Sequence, residues 1–167
     1  MALIIFEGDF DKMLLGEFFP KETVCVNLES TEKDELFEEL VEKIHSYCPS
    51  LDREEALSAL NERESKMSTG IMHSVAIPHA QISSMKKTVG AIGISREGID
   101  YDSLDKAPVH VVFMILGAED EAERHIQILK SLALVLQIPN FVEKLVKCSS
   151  SSEVYKFLCE SEESLLQ

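Results

Sequence analysis

The sequence is poor in basic residues. It has 16 lysines and arginines against 30 aspartates and glutamates, which gives a formal net charge of −14 at pH 7. Because nucleic-acid binding depends on a basic surface that displaces counterions, this balance argues against a nucleic-acid partner. An acidic body instead favours docking to a basic protein partner.

Long apolar runs, a basic leader and paired cysteines are also missing. No run approaches the roughly 20 apolar residues that span a bilayer, and residues 1–6 are apolar but too short for a signal peptide. None of the four cysteines stands in CxxC spacing, so neither a disulfide framework nor a zinc site is expected. We therefore predict a cytoplasmic location, with no direct membrane insertion.

The remaining pattern is that of one α/β domain, since 167 residues suffice for a single core. Strands are predicted at 23–28, 88–95 and 109–116, and the nearly continuous apolar run of the last suits a central strand buried on both faces. Helical spacing predicts amphipathic helices over 32–47 and 122–136. Together these elements predict a mixed β-sheet of about five strands sandwiched between helices.

Side-chain chemistry also predicts where helices begin and which faces they bury. Asp52 is expected to cap a helix that ends near 63–64, and Ser150 with Glu153 has capping-box spacing. Within 122–136 we expect an apolar face made of Ile126, Leu129, Leu132, Ala133 and Leu136.

Histidines are the first candidates for chemistry. We expect His45 on a helix surface and His110 as a hydrogen-bonded core residue of the central strand. On a straight strand His73 and His79 would lie about 20 Å apart at ~3.3 Å per residue, so they could share a metal only across a sharp turn. Without a carboxylate or cysteine at ligand spacing, an ordinary polar role is favoured over a metal site.

His79 is distinguished by its position. It directly follows Pro78 at the end of the predicted strand 74–77, where the chain is expected to enter a loop. Strand ends are where α/β sheets place their sites, and Pro78 restricts the backbone around it. From these residues alone, a functional histidine and one that merely ends a strand are equal alternatives.

Three motifs then stand in order: Arg-Glu at 63–64, Ser-Thr-Gly at 68–70 and Ala-Ile-Pro-His at 76–79. In this order and spacing they resemble the enzyme IIA components of the bacterial phosphotransferase system, in the fructose/mannitol class that includes the nitrogen-regulatory IIA proteins. The resemblance continues through GIDYDSLDKAPV at 98–109 and through HIQIL at 125–129, which looks like the family's helix bearing a second histidine. Several ordered motifs are far more specific than one.

The resemblance implies that His79 accepts a phosphoryl group, with Arg63 and His125 in the catalytic site. It implies no metal and no organic cofactor. On the residues alone, Arg63 could also be a solvated helix end and His125 an exposed helix position. The residues expected to line the phosphate are Ser68, Thr69 and Gly70.

The resemblance also implies partners and boundaries. The donor would be the phosphocarrier HPr or its nitrogen-branch counterpart, and the acceptor a IIB cysteine. The alternative is a regulatory interaction protein whose partner binding is switched by phosphorylation of His79. The IIA-like domain is predicted at 19–160, with an N-terminal extension at 1–18 and a tail at 161–167.

The implied chemistry is physically reasonable, because a neutral imidazole is a competent nucleophile at pH 7 and Arg63 offers a planar fork to phosphate oxygens. A carrier must expose its histidine, so we expect His79 in a shallow depression rather than a deep pocket. Its apolar rim is predicted to contain Met67, Ile71 and Met72. The Met72-His73 pair departs from the small polar pair common in the family, and Ala80 replaces a frequent glycine.

Overall fold

The computed structural model describes residues 15–167, and a six-stranded sheet forms its middle layer. Residues 1–14 of the predicted N-terminal extension lie outside the described residues. The last helix continues to Leu165, within the predicted tail. In chain order the elements are α1 (Leu15–Phe18), β1 (Val24–Cys25), α2 (Lys33–Tyr47), α3 (Arg53–Lys66), β2 (Gly70–Met72), β3 (Val75–Ala76), β4 (His79–Ile82), β5 (Val89–Ile99), β6 (Val109–Ala118), α4 (Ala122–Val135), α5 (Phe141–Lys147) and α6 (Ser151–Leu165).

The sheet is mixed, as predicted. Its strand order is β1-β5-β6-β3-β2, and β4 also pairs with β6. The long strands β5 and β6 are antiparallel, whereas β3 and β4 run parallel to β6. None of the helices in the described part of the chain combines the length and apolarity that crossing a membrane requires.

The central strand β6 carries the core on both faces, which confirms the prediction for 109–116. Val112, Met114 and Leu116 belong to the core layer beneath α2 and α3. The alternate residues Val111, Phe113 and Ile115 belong to the layer beneath α1, α4, α5 and α6. This alternation follows from the two-residue period of a strand, and it places helices on either side of the sheet.

Two predicted helix caps are confirmed. The Asp52 side chain accepts a hydrogen bond from the Glu55 amide at 3.1 Å, and Ser150 Oγ accepts one from the Glu153 amide at 3.1 Å. Each satisfies an amide that the first helical turn leaves without a partner.

The predicted apolar face of α4 is correct only in part. Leu132 is buried and Leu129 and Leu136 pack against the core, but Ile126 and Ala133 are exposed. The structure buries His125, Ile128, Leu132 and Val135, whereas Ile126 is 52% exposed. Both faces of this helix carry apolar side chains, so periodicity alone did not fix its rotation. Packing against the sheet selects the stripe that contains His125.

The loop predicted after Pro78 is also wrong, because His79–Ile82 form strand β4. Strands β3 and β4 pair one after the other with β6, and Pro78, which has no amide proton to donate, falls between them. His45 is partly exposed on α2, and its Nδ1 lies 2.9 Å from the Leu51 carbonyl oxygen.

Candidate active site

His79 is the first residue of β4, where it is opposite Ile115 of β6 and half-buried. Its ring Nδ1 lies 2.8 Å from the carbonyl oxygen of Ile77. Because a carbonyl oxygen only accepts hydrogen bonds, Nδ1 must carry the proton. The lone pair of the neutral ring therefore lies on Nε2.

The surroundings of His79 favour the neutral ring. Burial lowers the pKa of His79 below its usual range, and the positive charge of Arg63 acts in the same direction. The hydrogen bond to Ile77 and the negative charge of Glu64 oppose these effects without overcoming them. At pH 7 the imidazole is therefore neutral, which is the form that can act as a nucleophile.

His125 approaches His79 from α4. Their ring centroids are 5.5 Å apart, with an angle of 51° between the ring planes. His125 is 6% exposed, so the alternative of an exposed helix position is wrong. Burial, followed by the influence of His79, lowers the pKa of His125 to about 4, and this ring is also neutral at pH 7.

The orientation of the His125 ring depends on Gly117 in β6. A Cβ atom added at Gly117 would lie 2.6 Å from His125 Nδ1, so the ring occupies the space that a side chain would fill. His125 Nδ1 is buried and has no hydrogen-bond partner among the described residues. The nitrogen left to meet a ligand is therefore Nε2.

Arg63 lies in the last turn of α3 and is half-buried. Its Nη1 donates to the Met67 carbonyl oxygen at 3.0 Å, just beyond the helix end. Its charge also lowers the pKa of His79, so its guanidinium acts electrostatically on the candidate nucleophile. Arg63 thus links the end of α3 to the His79 environment.

Two of the three expected phosphate-lining residues, Thr69 and Gly70, already donate hydrogen bonds within the protein. The amide and hydroxyl of Thr69 donate to Glu64 at 2.9 and 2.7 Å, and Thr69 is 4% exposed. The Gly70 amide donates to Ser68 Oγ at 3.2 Å. Since a hydroxyl can accept and donate at once, Ser68 keeps its own proton available. Of the three, Ser68 is therefore best placed to donate to a ligand without breaking an existing bond.

A polar cluster around Glu64 was missed from the sequence. Besides Thr69, the Glu64 carboxylate contacts Lys33 Nζ at 3.1 Å. The Tyr101 hydroxyl lies 2.6 Å from Thr69 Oγ1. Glu64 stood in the Arg-Glu motif, but Lys33 and Tyr101 are distant along the chain and no spacing pattern indicates their contact.

Exposed apolar side chains lie just before β2, within it, and in the loop that bonds to it. Met67 is 57% exposed and Ile71 is 42% exposed. Leu104, whose amide donates to the Gly70 carbonyl oxygen at 2.8 Å, is 54% exposed and was not predicted. The side chain of Met72, the third predicted rim residue, lies outside the part of the molecule that the structure describes.

His73 lies in the turn between β2 and β3. His73 and Ser74 both have positive φ angles, of 54° and 68°, as the central residues of a type I′ turn do. The Met72-His73 departure therefore falls on a tight hairpin. Across residues 15–167, no group of three or more His, Cys, Asp and Glu side chains is placed to hold a metal ion.

Comparisons with known proteins match most of the chain. Residues 17–161 match the family model described as phosphoenolpyruvate-dependent sugar phosphotransferase system, EIIA 2. Over 142 residues the chain is 34% identical to the PTS system fructose-specific EIIABC component of Bacillus subtilis, an alignment that covers 85% of this chain but 22% of that protein. Over 109 residues it is 39% identical to the fructose-specific EIIA component of Haloferax volcanii, covering 65% and 71% of the two chains.

A solved structure is also similar over nearly its whole length. The nitrogen regulatory protein IIA-Ntr from Neisseria meningitidis superposes with a TM-score of 0.80 at 31% identity. The superposition covers 87% of this chain and 99% of that one.

Proposed function

Because the chain belongs to the EIIA 2 family of the phosphoenolpyruvate-dependent sugar phosphotransferase system, we propose that it is a phosphohistidine carrier that accepts its phosphoryl group on His79. The observation that carries this proposal is the hydrogen bond from His79 Nδ1 to the Ile77 carbonyl oxygen. That bond fixes the tautomer whose free nitrogen, Nε2, is nucleophilic. The predicted domain boundaries, 19–160, are retained as part of this proposal.

The transfer step follows from this tautomer. Nε2 attacks the phosphorus of a donor phosphohistidine, and the P–N bond to the donor breaks as the new N–P bond forms. The donor ring keeps the electron pair of the broken bond. Positive charge develops on the His79 ring during attack, and the Nδ1–H bond to Ile77 becomes charge-assisted and stronger.

Arg63 and His125 would stabilise the charge on the phosphoryl oxygens. Phosphoryl transfer asks the protein mainly for positioning and for such stabilisation. Because His125 Nδ1 is buried without a hydrogen-bond partner among the described residues, we assign the ring's lone pair to Nδ1 and its proton to Nε2. Nε2–H is then the donor to the phosphoryl oxygens. The Arg63 guanidinium adds a permanent charge in a planar fork.

For partners, we propose an HPr-type donor and a IIB-type acceptor cysteine in the cytoplasm. The name of the Bacillus subtilis relative combines A, B and C components, which supports a B-type acceptor. We propose that the exposed side chains of Met67, Ile71 and Leu104 contact the partner, since apolar side chains are found at the centre of interfaces. The net charge of −14 would attract a basic partner to the protein.

A regulatory role is the second candidate. It is favoured by the likeness to the nitrogen regulatory protein, which extends over 99% of that chain. In this version, phosphorylation of His79 changes which protein is bound. Adding a IIB domain to the phosphorylated protein distinguishes the two roles, because only the transport role requires rapid phosphoryl transfer to the cysteine of the IIB domain.

The proposal is tested by intact-mass spectrometry after incubation with a phosphorylated HPr-type carrier. The native protein should gain one phosphoryl group that acid removes and mild base does not. His79→Ala should gain none. The matched control is His110→Ala, because His110 is bonded to the Ser95 carbonyl oxygen and has no role in the proposed transfer. Phosphate uptake by His79→Ala would overturn the assignment.

A further inference from the structure

The Glu64 carboxylate is the centre of a buried polar cluster. Its side chain is 7% exposed, and it accepts the Thr69 amide at 2.9 Å and the Thr69 hydroxyl at 2.7 Å. Lys33 Nζ, from α2, lies 3.1 Å from the same carboxylate. A carboxylate buried to this degree is tolerated only when it is paired and hydrogen-bonded.

The proton positions in this cluster can be assigned. The Thr69 hydroxyl donates its single proton to the Glu64 carboxylate. The Tyr101 hydroxyl then donates to Thr69 Oγ1 across 2.6 Å, in preference to its longer contact of 3.5 Å with the Glu64 carboxylate. Burial raises the pKa of Tyr101, with the charge of Glu64 in support, so the phenol keeps this proton. Lys33 also lies 4.7 Å from the centroid of the Tyr101 ring.

The cluster is connected to His79 through the backbone. The Thr69 carbonyl oxygen accepts the Ile77 amide at 3.0 Å. The Ile77 carbonyl oxygen in turn accepts His79 Nδ1 at 2.8 Å. Ile77 lies in the gap between β3 and β4, and its bond to Thr69 extends the antiparallel pairing of β2 with β3 by one position.

We propose that Lys33, Glu64 and Tyr101 are positioning residues, which act through Thr69 and Ile77 to hold His79 in the Nδ1–H tautomer. None of the three is assigned a contact with the phosphoryl group. Their effect is on the orientation of the ring and on which nitrogen carries the proton. The inference rests on the proposed function of His79, and it adds residues that lie outside the transfer chemistry.

The most direct perturbation is Lys33→Met, since the Lys33 side chain is 21% exposed and lies at the outer end of the cluster. Methionine retains most of the apolar stem and removes the charge that compensates Glu64. Thr69→Val removes the hydroxyl at nearly constant shape, and Thr69→Ser restores it. Loosening the cluster should lower kcat about 10-fold, because small misplacements of reacting groups have large effects on rate.

A merely structural role would not change the tautomer of His79, so the tautomer is one of the quantities measured. With ¹⁵N-labelled histidine, NMR of the unphosphorylated protein reports which nitrogen of His79 carries the proton. We expect Nδ1–H in the native protein and in Thr69→Ser, and a larger Nε2–H population in Lys33→Met and Thr69→Val. The matched control is Lys156→Met, because Lys156 pairs with Glu160 at 3.8 Å on the exposed side of α6.

The proposal is overturned if Lys33→Met and Thr69→Val lower the melting temperature but keep the native tautomer and the native kcat. The proposal is also overturned if Lys156→Met changes the tautomer and kcat as much as Lys33→Met does. Should Thr69→Val fail to fold, Lys33→Met and Tyr101→Phe decide by the same readouts. Failure of the proposed function is a separate result, in which the native protein takes no phosphate on His79. The two failures can be distinguished because the tautomer is measured without a phosphorylated donor protein.

Discussion

Gly117→Ala provides a sharp test of how the second histidine acts. Gly117 lies in β6, and its φ angle is not positive, so alanine fits the backbone conformation. The added Cβ would lie 2.6 Å from His125 Nδ1. Ordinary van der Waals contact begins near 3.4 Å, so the ring must move by about 0.8 Å.

That displacement sets the expected size of the effect. Moving a catalytic group by roughly 1 Å can reduce a rate by about 100-fold, so we expect transfer to His79 to slow by about 10- to 100-fold. Overpacking of this kind also lowers the free energy of unfolding by about 1–3 kcal/mol, so the control variant must lose a similar amount. Gly93→Ala is suitable, because its Cβ would meet Leu28 Cδ1 at 2.7 Å, away from His79.

Rapid-quench measurements of phosphoryl transfer from a phosphorylated HPr-type carrier would give the rates, and urea unfolding the stabilities. We expect both variants to be destabilised and only Gly117→Ala to be slow. Native transfer rates in Gly117→Ala would refute the role of His125. Equal slowing in Gly93→Ala would assign the effect to stability instead.

Three further predictions follow from the same structure. Arg63→Lys should slow transfer by about 10- to 1000-fold, because lysine keeps the charge but loses the planar fork; unchanged quench-flow rates would contradict this. Replacing His73 by Asn and Ser74 by Gly should raise the free energy of unfolding by about 1 kcal/mol, since both residues have positive φ angles that suit an Asn-Gly turn; urea unfolding without a gain would argue against strain there. The pKa of His125 is about 4 in the folded state, below its unfolded value of about 6.5. The contribution of His125 to the free energy of unfolding should therefore be fully present above pH ~6.5 and fall as the pH decreases towards 4. Urea unfolding across this range should show a weaker pH dependence in His125→Gln, and an unchanged dependence would contradict the burial argument.

Much of the fold could be predicted from local pattern. Asp52 and Ser150 lie at helix starts because their oxygens satisfy nearby amides, and this information is local. The apolar run of β6 likewise indicates burial on both faces without knowledge of its neighbours. Strand β4 is different, because its four residues become a strand only by pairing with a segment far along the chain.

The same distinction applies to the site. His79, Arg63 and Glu64 lie in a short ordered motif, so the sequence indicated them together. His125 was indicated by the resemblance, but its burial depends on how α4 packs against the sheet. Lys33 and Tyr101 contact Glu64 and Thr69 only in the folded protein, and no periodicity of the sequence indicates these contacts.

The most direct test of the proposed carrier function is the site of phosphate attachment. Native protein phosphorylated by an HPr-type carrier, with ¹⁵N-labelled histidine, can be examined by ³¹P and ¹⁵N NMR. We predict a single phosphoryl group on Nε2 of His79, with the proton still on Nδ1 and bonded to Ile77. Phosphate on Nδ1, phosphate on any other residue, or no phosphate at all would contradict it.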